Sequence, residues 1–164
     1  MSQEMNTNPK ALLSGQKVDS VHCLSIPLKE MRLLLPNAAI AEVIGYAEAE
    51  PIDGAPPWLL GRLAWRDRVV PLISCESAMG ANNVRSGNRI AILNTLNSNS
   101  RVPYIGIVMQ DIPSLLRIKK EIIEPQEIDQ KLQSVSAYVS VAGESYVIPD
   151  IDDLEKRVEN VSQH

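Results

Sequence analysis

The sequence predicts a mainly-β domain, built as small barrels or a sandwich in preference to a parallel α/β sheet. Three observations carry this. Nine or ten short β-type runs are separated by closely spaced turn signals, and strands joined so closely favour antiparallel pairing. Only the C-terminal stretch has the spacing of a convincing amphipathic helix. The 164 residues, 45% of them apolar, suit one compact domain or two small subdomains sharing a core. Phenylalanine is absent, so Leu, Ile, Val and Ala must fill that core, with two Trp and four Tyr. No internal repeat recurs at a fixed period.

Residues 1–19 are polar and aperiodic and are expected to form a flexible tail, leaving 20–164 as the domain. "VHCLSIP" and "MRLLLP" are two short strands around the polar turn "LKE". After Pro36 and Asn37, "AAIAEVI" begins with one helical turn. "EVIGYAEAEPI" is then extended, with Gly45 as its bend or bulge. "APPWLLG" reads as a short helical turn, with prolines where a helix starts and Gly61 where it ends. "RLAW" and "VVPLIS" form the next strand pair, turned by Arg66-Asp67-Arg68. "CESAMG" is a short helix ending at Gly80, and "ANNVRSGN" is a polar surface loop. "RIAILNTL" and "VPYIGIVM" form a strong hairpin with "NSNSR" as its loop; "SLLRI" and "EIIE" are weaker strands.

"SAYVSVAGESYVIPDI" holds two alternating runs around Ala142-Gly143-Glu144, and the helix follows. Asp152 with Glu155 fits an N-terminal capping box, and the acids near the helix start suit its dipole. Leu154, Val158 and Val161 recur at helical spacing as one apolar stripe.

Charge narrows the partners. Residues 144–164 hold six acids against two bases, which accounts for the whole net charge of −4. No basic stripe of the kind phosphate backbones require is present, so nucleic acid is excluded. The first twenty residues lack the pattern of a signal peptide, and no apolar run approaches the ~20 residues that span a bilayer. A cytoplasmic protein without membrane insertion is expected. Cys23 and Cys75, far apart among aliphatic residues, read as buried reduced thiols.

Catalytic constellations are missing. His22 and the terminal His164 are the only histidines, so a nucleophile–base arrangement would rest on His22 alone. No G-x-S-x-G, G-x-G-x-x-G or Walker-type loop occurs, and no cofactor is implied. A metal site lacks both CxxC spacing and a His cluster. Asp150, Asp152 and Asp153 suggest a cation site, but the capping role accounts for Asp152, and the Gly-rich loop spacing of Ca²⁺ sites is lacking. An enzyme is not expected. Surface features remain. Trp58, after two prolines, is expected to plug a barrel end. Trp65, beside Arg66, is expected to be partly exposed, a pairing enriched at binding hot spots. Glu42 is the only charge between Arg32 and Glu48. Its ordinary reading is a solvated residue beside a buried strand.

The order of motifs resembles the bacterial chemotaxis coupling-protein family, the CheW-like domain. That family's central stretch runs P-x-x-x-x-G-x-x-N-x-R-G-x-x-x-P-x-x-D-L. Residues 56–75 read "PPWLLGRLAWRDRVVPLISC" and place Pro56, Gly61, Arg66 and Pro71 on its positions without gaps. "AEVIGY", "YIGIVMQDI" and "YVIPDIDDLEK" are similar to the family segments before and after it. The resemblance covers about residues 20–160.

The resemblance implies two small five-stranded β-barrels sharing a hydrophobic core, with the C-terminal helix packed near the first. It implies a non-catalytic adaptor that couples a chemoreceptor's cytoplasmic tip to the regulatory domain of a CheA-like histidine kinase. Carried over by position, Ile40, Glu42, Trp65 and Arg66 fall in the receptor groove, Trp65 as the neighbour of the motif arginine. Ala64, Asp67, Ser74 and Gln110 stand where the family has Asn, Gly, Asp and Asp. These departures mark a divergent member, of the kind typical of systems controlling type IV pili and twitching motility. The alternative reading is a small-ligand sensor using the inter-barrel groove, with Trp65 and Tyr46 lining a pocket.

Overall fold

The computed structural model describes residues 20–95 and 101–162. The expected tail 1–19, most of the loop 97–101 and His164 lie outside the described residues. Among the described residues, eleven strands fall into two sheets. β1 (Ser20–Pro27) and β2 (Arg32–Pro36) lead through a 3₁₀ turn (Asn37–Ala39) into β3 (Ile40–Gly45). β4 (Leu59–Trp65), β5 (Arg68–Ile73), the short helix α1 (Cys75–Met79), β6 (Arg89–Asn94) and β7 (Tyr104–Met109) follow. β8 (Ser114–Lys119), β9 (Ile123–Pro125), β10 (Val135–Val141), β11 (Glu144–Pro149) and the helix α2 (Ile151–Ser162) complete the chain.

One sheet has the order β3-β6-β7-β5-β4. The other, β8-β1-β2-β11-β10-β9, has five longer strands plus the three-residue β9 at its edge. Antiparallel hairpins dominate, as close spacing predicts. Two parallel contacts, β5 with β7 and β11 with β2, join segments remote in sequence, so spacing held no sign of them.

Three apolar clusters fill this frame. Leu60, Leu63, Trp65, Val70, Leu72, Ile90, Ile92 and Val108 fill the five-stranded sheet's interior. Cys23, Leu34, Ile118, Val139, Val141 and Tyr146 fill the other's. A larger cluster, including Ile26, Leu33, Leu93, Ile107, Leu154 and Val158, lies between the sheets and beneath both helices. Two barrel interiors with a shared core therefore match the expected architecture.

Gly61 closes the five-stranded barrel. It sits in β4 at a bulge, and its neighbour Arg62 exchanges two backbone hydrogen bonds with Glu50, each 2.8 Å. Glu50 lies on the continuation of β3, so the last strand meets the first. At φ +148°, a Cβ on Gly61 would lie 2.2 Å from the Glu50 carbonyl oxygen. The reading of this glycine as a helix end is thus corrected: only a turn precedes Leu59, because Leu60, Leu63 and Trp65 must fill the barrel interior from a strand. Gly45 merely ends β3, whose bulge falls between Ile40 and Glu42.

The helix cap also moves. Asp153 donates its backbone N–H to Asp150 Oδ1 at 3.0 Å, so Asp150 caps α2 and Asp152 lies in the first turn. The apolar stripe stands: Leu154 and Val158 are buried, and Val161 packs beside them. At α1, Ser74 accepts from the Ser77 N–H and Gly80 ends the helix in the left-handed region, as the sequence predicts.

Candidate functional site

The hairpin between β4 and β5 is a two-residue turn in which Trp65 pairs with Arg68. Arg66 (φ 48°) and Asp67 (φ 60°) both take left-handed backbone. Such turns match the strand twist but favour Asn-Gly, and an ordinary L-residue there costs roughly 1–2 kcal/mol. The paired strands on either side hold Arg66 in place, so its side chain leaves the barrel tip in a fixed direction.

Around it the structure brings together three of the four predicted residues. Trp65 Nε1 donates to Glu42 Oε1 at 2.9 Å, and Arg66 Nη2 lies 3.1 Å from the same oxygen. The Arg66 guanidinium stands 5.2 Å from the Trp65 ring centroid. The Trp65 ring meets Tyr104 edge-on at 4.9 Å, and Arg68 lies 5.1 Å from the Tyr104 centroid. The barrel mouth is therefore a row of guanidinium, indole, phenol and guanidinium, with Glu42 bound to its first two members. The Arg66 side chain is 67% exposed and Glu42 36%, so this ion pair contributes only about 0–1 kcal/mol and acts chiefly on orientation.

Two expectations change. Trp65 is buried at 8% exposure inside the barrel, because it alternates inward with Leu63. Trp58 is the half-buried one; it packs on the shared core under Arg157, 4.8 Å from its ring centroid. Ile40 lies apart from the other three. The bulge between it and Glu42 reverses the side-chain alternation, so Ile40 packs against the shared core with Val43.

Tyr104 and Arg68 were not singled out by the sequence. Arg68 carries a signal in hindsight, as the residue across the turn from Trp65; Tyr104 carries none, being forty residues away in β7. Glu76 was also missed. It is 2% exposed and accepts from the backbone N–H groups of Lys29 (2.9 Å) and Glu30 (2.8 Å), fastening the β1–β2 turn to α1.

The remaining candidates have structural positions. His22 is exposed on β1. Cys75 is buried and its thiol is pushed up to about 12 by burial, with Glu76 adding to the rise; Cys23 is raised by burial. Asp150 and Asp153 serve the helix cap, and Asp153 also accepts from Ser134 Oγ at 2.6 Å. Among the described residues no cluster of three His, Cys, Asp or Glu side chains is arranged to hold a metal ion. No described helix is long and apolar enough to cross a membrane. Tyr46 lines a small cleft with Glu48, Leu60 and Arg85, while Trp65 packs inside the barrel against Tyr104. A larger cleft of about 800 Å³ lies between the β1–β2 turn and the β10–β11 hairpin, bordered by Arg32, Glu144 and Tyr146. Val69, Ile112 and Leu115 are large apolar side chains left 60–67% exposed.

Comparison with known proteins follows the same lines. A sequence model of the CheW-like domain matches residues 22–159. Among solved structures, the scaffolding protein TtCheW from Thermoanaerobacter tengcongensis superposes with a TM-score of 0.66. The match covers 79% of this chain and 84% of that one at 17% identity, a likeness of fold. No curated protein matches the sequence significantly.

Proposed function

The chain belongs to the CheW-like domain family, and from that premise we propose that it is a cytoplasmic, non-catalytic adaptor coupling a chemoreceptor to a CheA-like histidine kinase. The observation that carries the reading is the β4–β5 hairpin tip. A left-handed turn aims Arg66 outward, and Glu42 and Trp65 hold it there, while its guanidinium stays largely exposed. A fixed, exposed arginine suits recognition of a partner's carboxylate, where electrostatics set orientation and selectivity more than affinity.

Glu42 and Arg66 then face the receptor's cytoplasmic tip. Trp65 contributes from beneath, and Ile40 contributes through the strand that carries Glu42. The exposed Val69, Ile112 and Leu115 supply apolar surface for partner contacts. The departures at Ala64, Asp67, Ser74 and Gln110 support a specialised pathway, for which type IV pilus-driven twitching motility is the reading we favour. A metabolite-sensing role has less behind it, because Trp65, expected to line the pocket, is packed in the barrel core.

Binding to the cytoplasmic tip of the cognate receptor tests this reading. Arg66→Glu is expected to lose at least tenfold in affinity, since one desolvated like-charge contact costs more than about 1.4 kcal/mol. Its circular dichroism and melting temperature are expected to stay unchanged. Undiminished binding by that variant would remove Arg66 from the interface, and no binding by the wild type would remove the adaptor reading itself.

A further inference from the structure

Trp65 occupies an unusual place in the hairpin: it is adjacent to an arginine whose side chain is 67% exposed, yet is buried itself. Its indole N–H and the Arg66 guanidinium reach one and the same carboxylate oxygen, Glu42 Oε1, at 2.9 and 3.1 Å. Its ring face carries that guanidinium at 5.2 Å, and its edge is fixed by Tyr104 at 4.9 Å. A free surface arginine has several rotatable bonds and loses their entropy when a partner captures it. Here two contacts restrict Arg66 beforehand, the Trp65 ring directly and Glu42, which Trp65 itself holds by a hydrogen bond.

We propose that Trp65 is a positioning residue for partner recognition: it orders Arg66 from beneath, without touching the partner, so that the arginine is presented in its binding orientation. This rests on the adaptor reading for the partner's identity, but not for the ordering. Glu42 engages one terminal nitrogen of Arg66, Nη2. A guanidinium has five N–H donors in a planar fork, so the rest of the fork is open to a partner carboxylate. Arg32, held over Tyr146 in the other sheet, is the internal control, because neither its ring contact nor its carboxylate partner involves Trp65.

The test is made on the full chain in two arms. The chain has two tryptophans, so Trp65→Phe assigns the Trp65 indole resonance by its loss. In the wild type the ¹⁵N heteronuclear NOE of Arg66 Nε is expected to approach backbone values. In Trp65→Phe and in Glu42→Ala it is expected to fall to that of a free surface arginine, with Arg32 unchanged in both. Glu42→Ala should also shift the Trp65 indole N–H, leaving Trp58 in place. Binding to the receptor tip is expected to weaken about fivefold in Trp65→Phe, as for loss of one modest hydrogen bond. The loss should shrink at high salt.

Arg66 equally ordered in both variants overturns the proposal, as does Trp65→Phe binding at wild-type strength. A wild type that binds no receptor tip overturns the adaptor reading, while the relaxation arm still decides whether Trp65 orders Arg66. Should Trp65→Phe fail to fold, judged by amide dispersion, Glu42→Ala removes the acceptor of the same bond from the surface side and decides the matter.

Discussion

The two barrels each carry an arginine, a glutamate and an aromatic ring at a hairpin end, and use them differently. In the five-stranded barrel these are Arg66, Glu42 and Trp65; in the six-stranded sheet they are Arg32, Glu144 and Tyr146, with Arg32 5.0 Å from the tyrosine centroid. Both hairpins turn on two left-handed residues, Arg66-Asp67 and Ala142-Gly143. The difference lies in where the arginine sits. Arg66 occupies the turn and projects beyond the strands. Arg32 starts β2 and reaches across to Glu144 at the start of β11, where the two strands share one parallel ladder pair, Val147 with Leu33. The second trio is a fastening between strands, and the glutamate bond raises the Arg32 pKa further. The first ties the β4–β5 tip to β3, whose continuation the Glu50–Arg62 backbone pair already joins to β4. Identical chemistry therefore reads as structure in one barrel and as display in the other, and only backbone position separates them.

That contrast can be broken most severely at the aromatic members. Trp65→Ala and Tyr146→Ala should each cost about 3–5 kcal/mol in urea unfolding, since both rings are buried. A loss below 1 kcal/mol at either would show that its barrel interior is not a packed core. Next in size, Gly61→Ala should cost about 3 kcal/mol, because the added methyl meets the Glu50 backbone. Chemical denaturation that finds it neutral would mean the five-stranded barrel is not closed there.

The region joining the barrels gives a pH test. Native Cys75 keeps its proton up to about pH 12, whereas an unfolded thiol loses it near its ordinary value of 9.0. Between these values the native state binds the extra proton, so stability falls as pH rises, by about 1.4 kcal/mol per unit from this group, and the full contribution is present only below pH 9. Cys75→Ala should flatten that part of the profile relative to wild type; parallel profiles would contradict a buried thiol. The smallest effect sharpens the comparison directly. Arg32→Gln should cost about 1 kcal/mol and Arg66→Gln less than about 0.5, measured by thermal unfolding at low salt. Equal losses would erase the distinction between fastening and display.

Much of this was legible in the sequence because alternation and turn residues act locally. The β6–β7 and β10–β11 hairpins, the short helix closed by Gly80 and the stripe on α2 follow from patterns of a few residues. Gly61 was misread because its constraint comes from Glu50, eleven residues away and across a strand pair. The two tryptophans exchanged roles for a related reason: inward or outward is decided by register, and the bulge in β4 sets the register after the prolines. At the site, Arg66 drew notice beside Trp65 and Glu42 as a lone charge, but only family resemblance placed them in one groove. The Trp65 bond to Glu42 and the Tyr104 contact depend on β3 and β7 packing around one barrel mouth, which no local pattern encodes. Gln110 shows how a departure can be read once the fold is known. Its side-chain amide donates to the Ser86 carbonyl at 2.9 Å, a bond that the aspartate typical of the family cannot make.

Closure of the five-stranded sheet through Glu50 and Arg62 has a colloidal consequence. A closed sheet offers no open ladder to a passing chain, so this half of the molecule cannot recruit strands from a neighbour. The other sheet keeps two rims. One is the three-residue β9, ending in Pro125; the other, β8, presents Arg117 and Lys119. Short length, proline and clustered cations all discourage edge-to-edge growth. At high local concentration, such a molecule stays dispersed where an open, apolar-edged sheet would fuse into fibres, and its associations are left to side chains, which can let go.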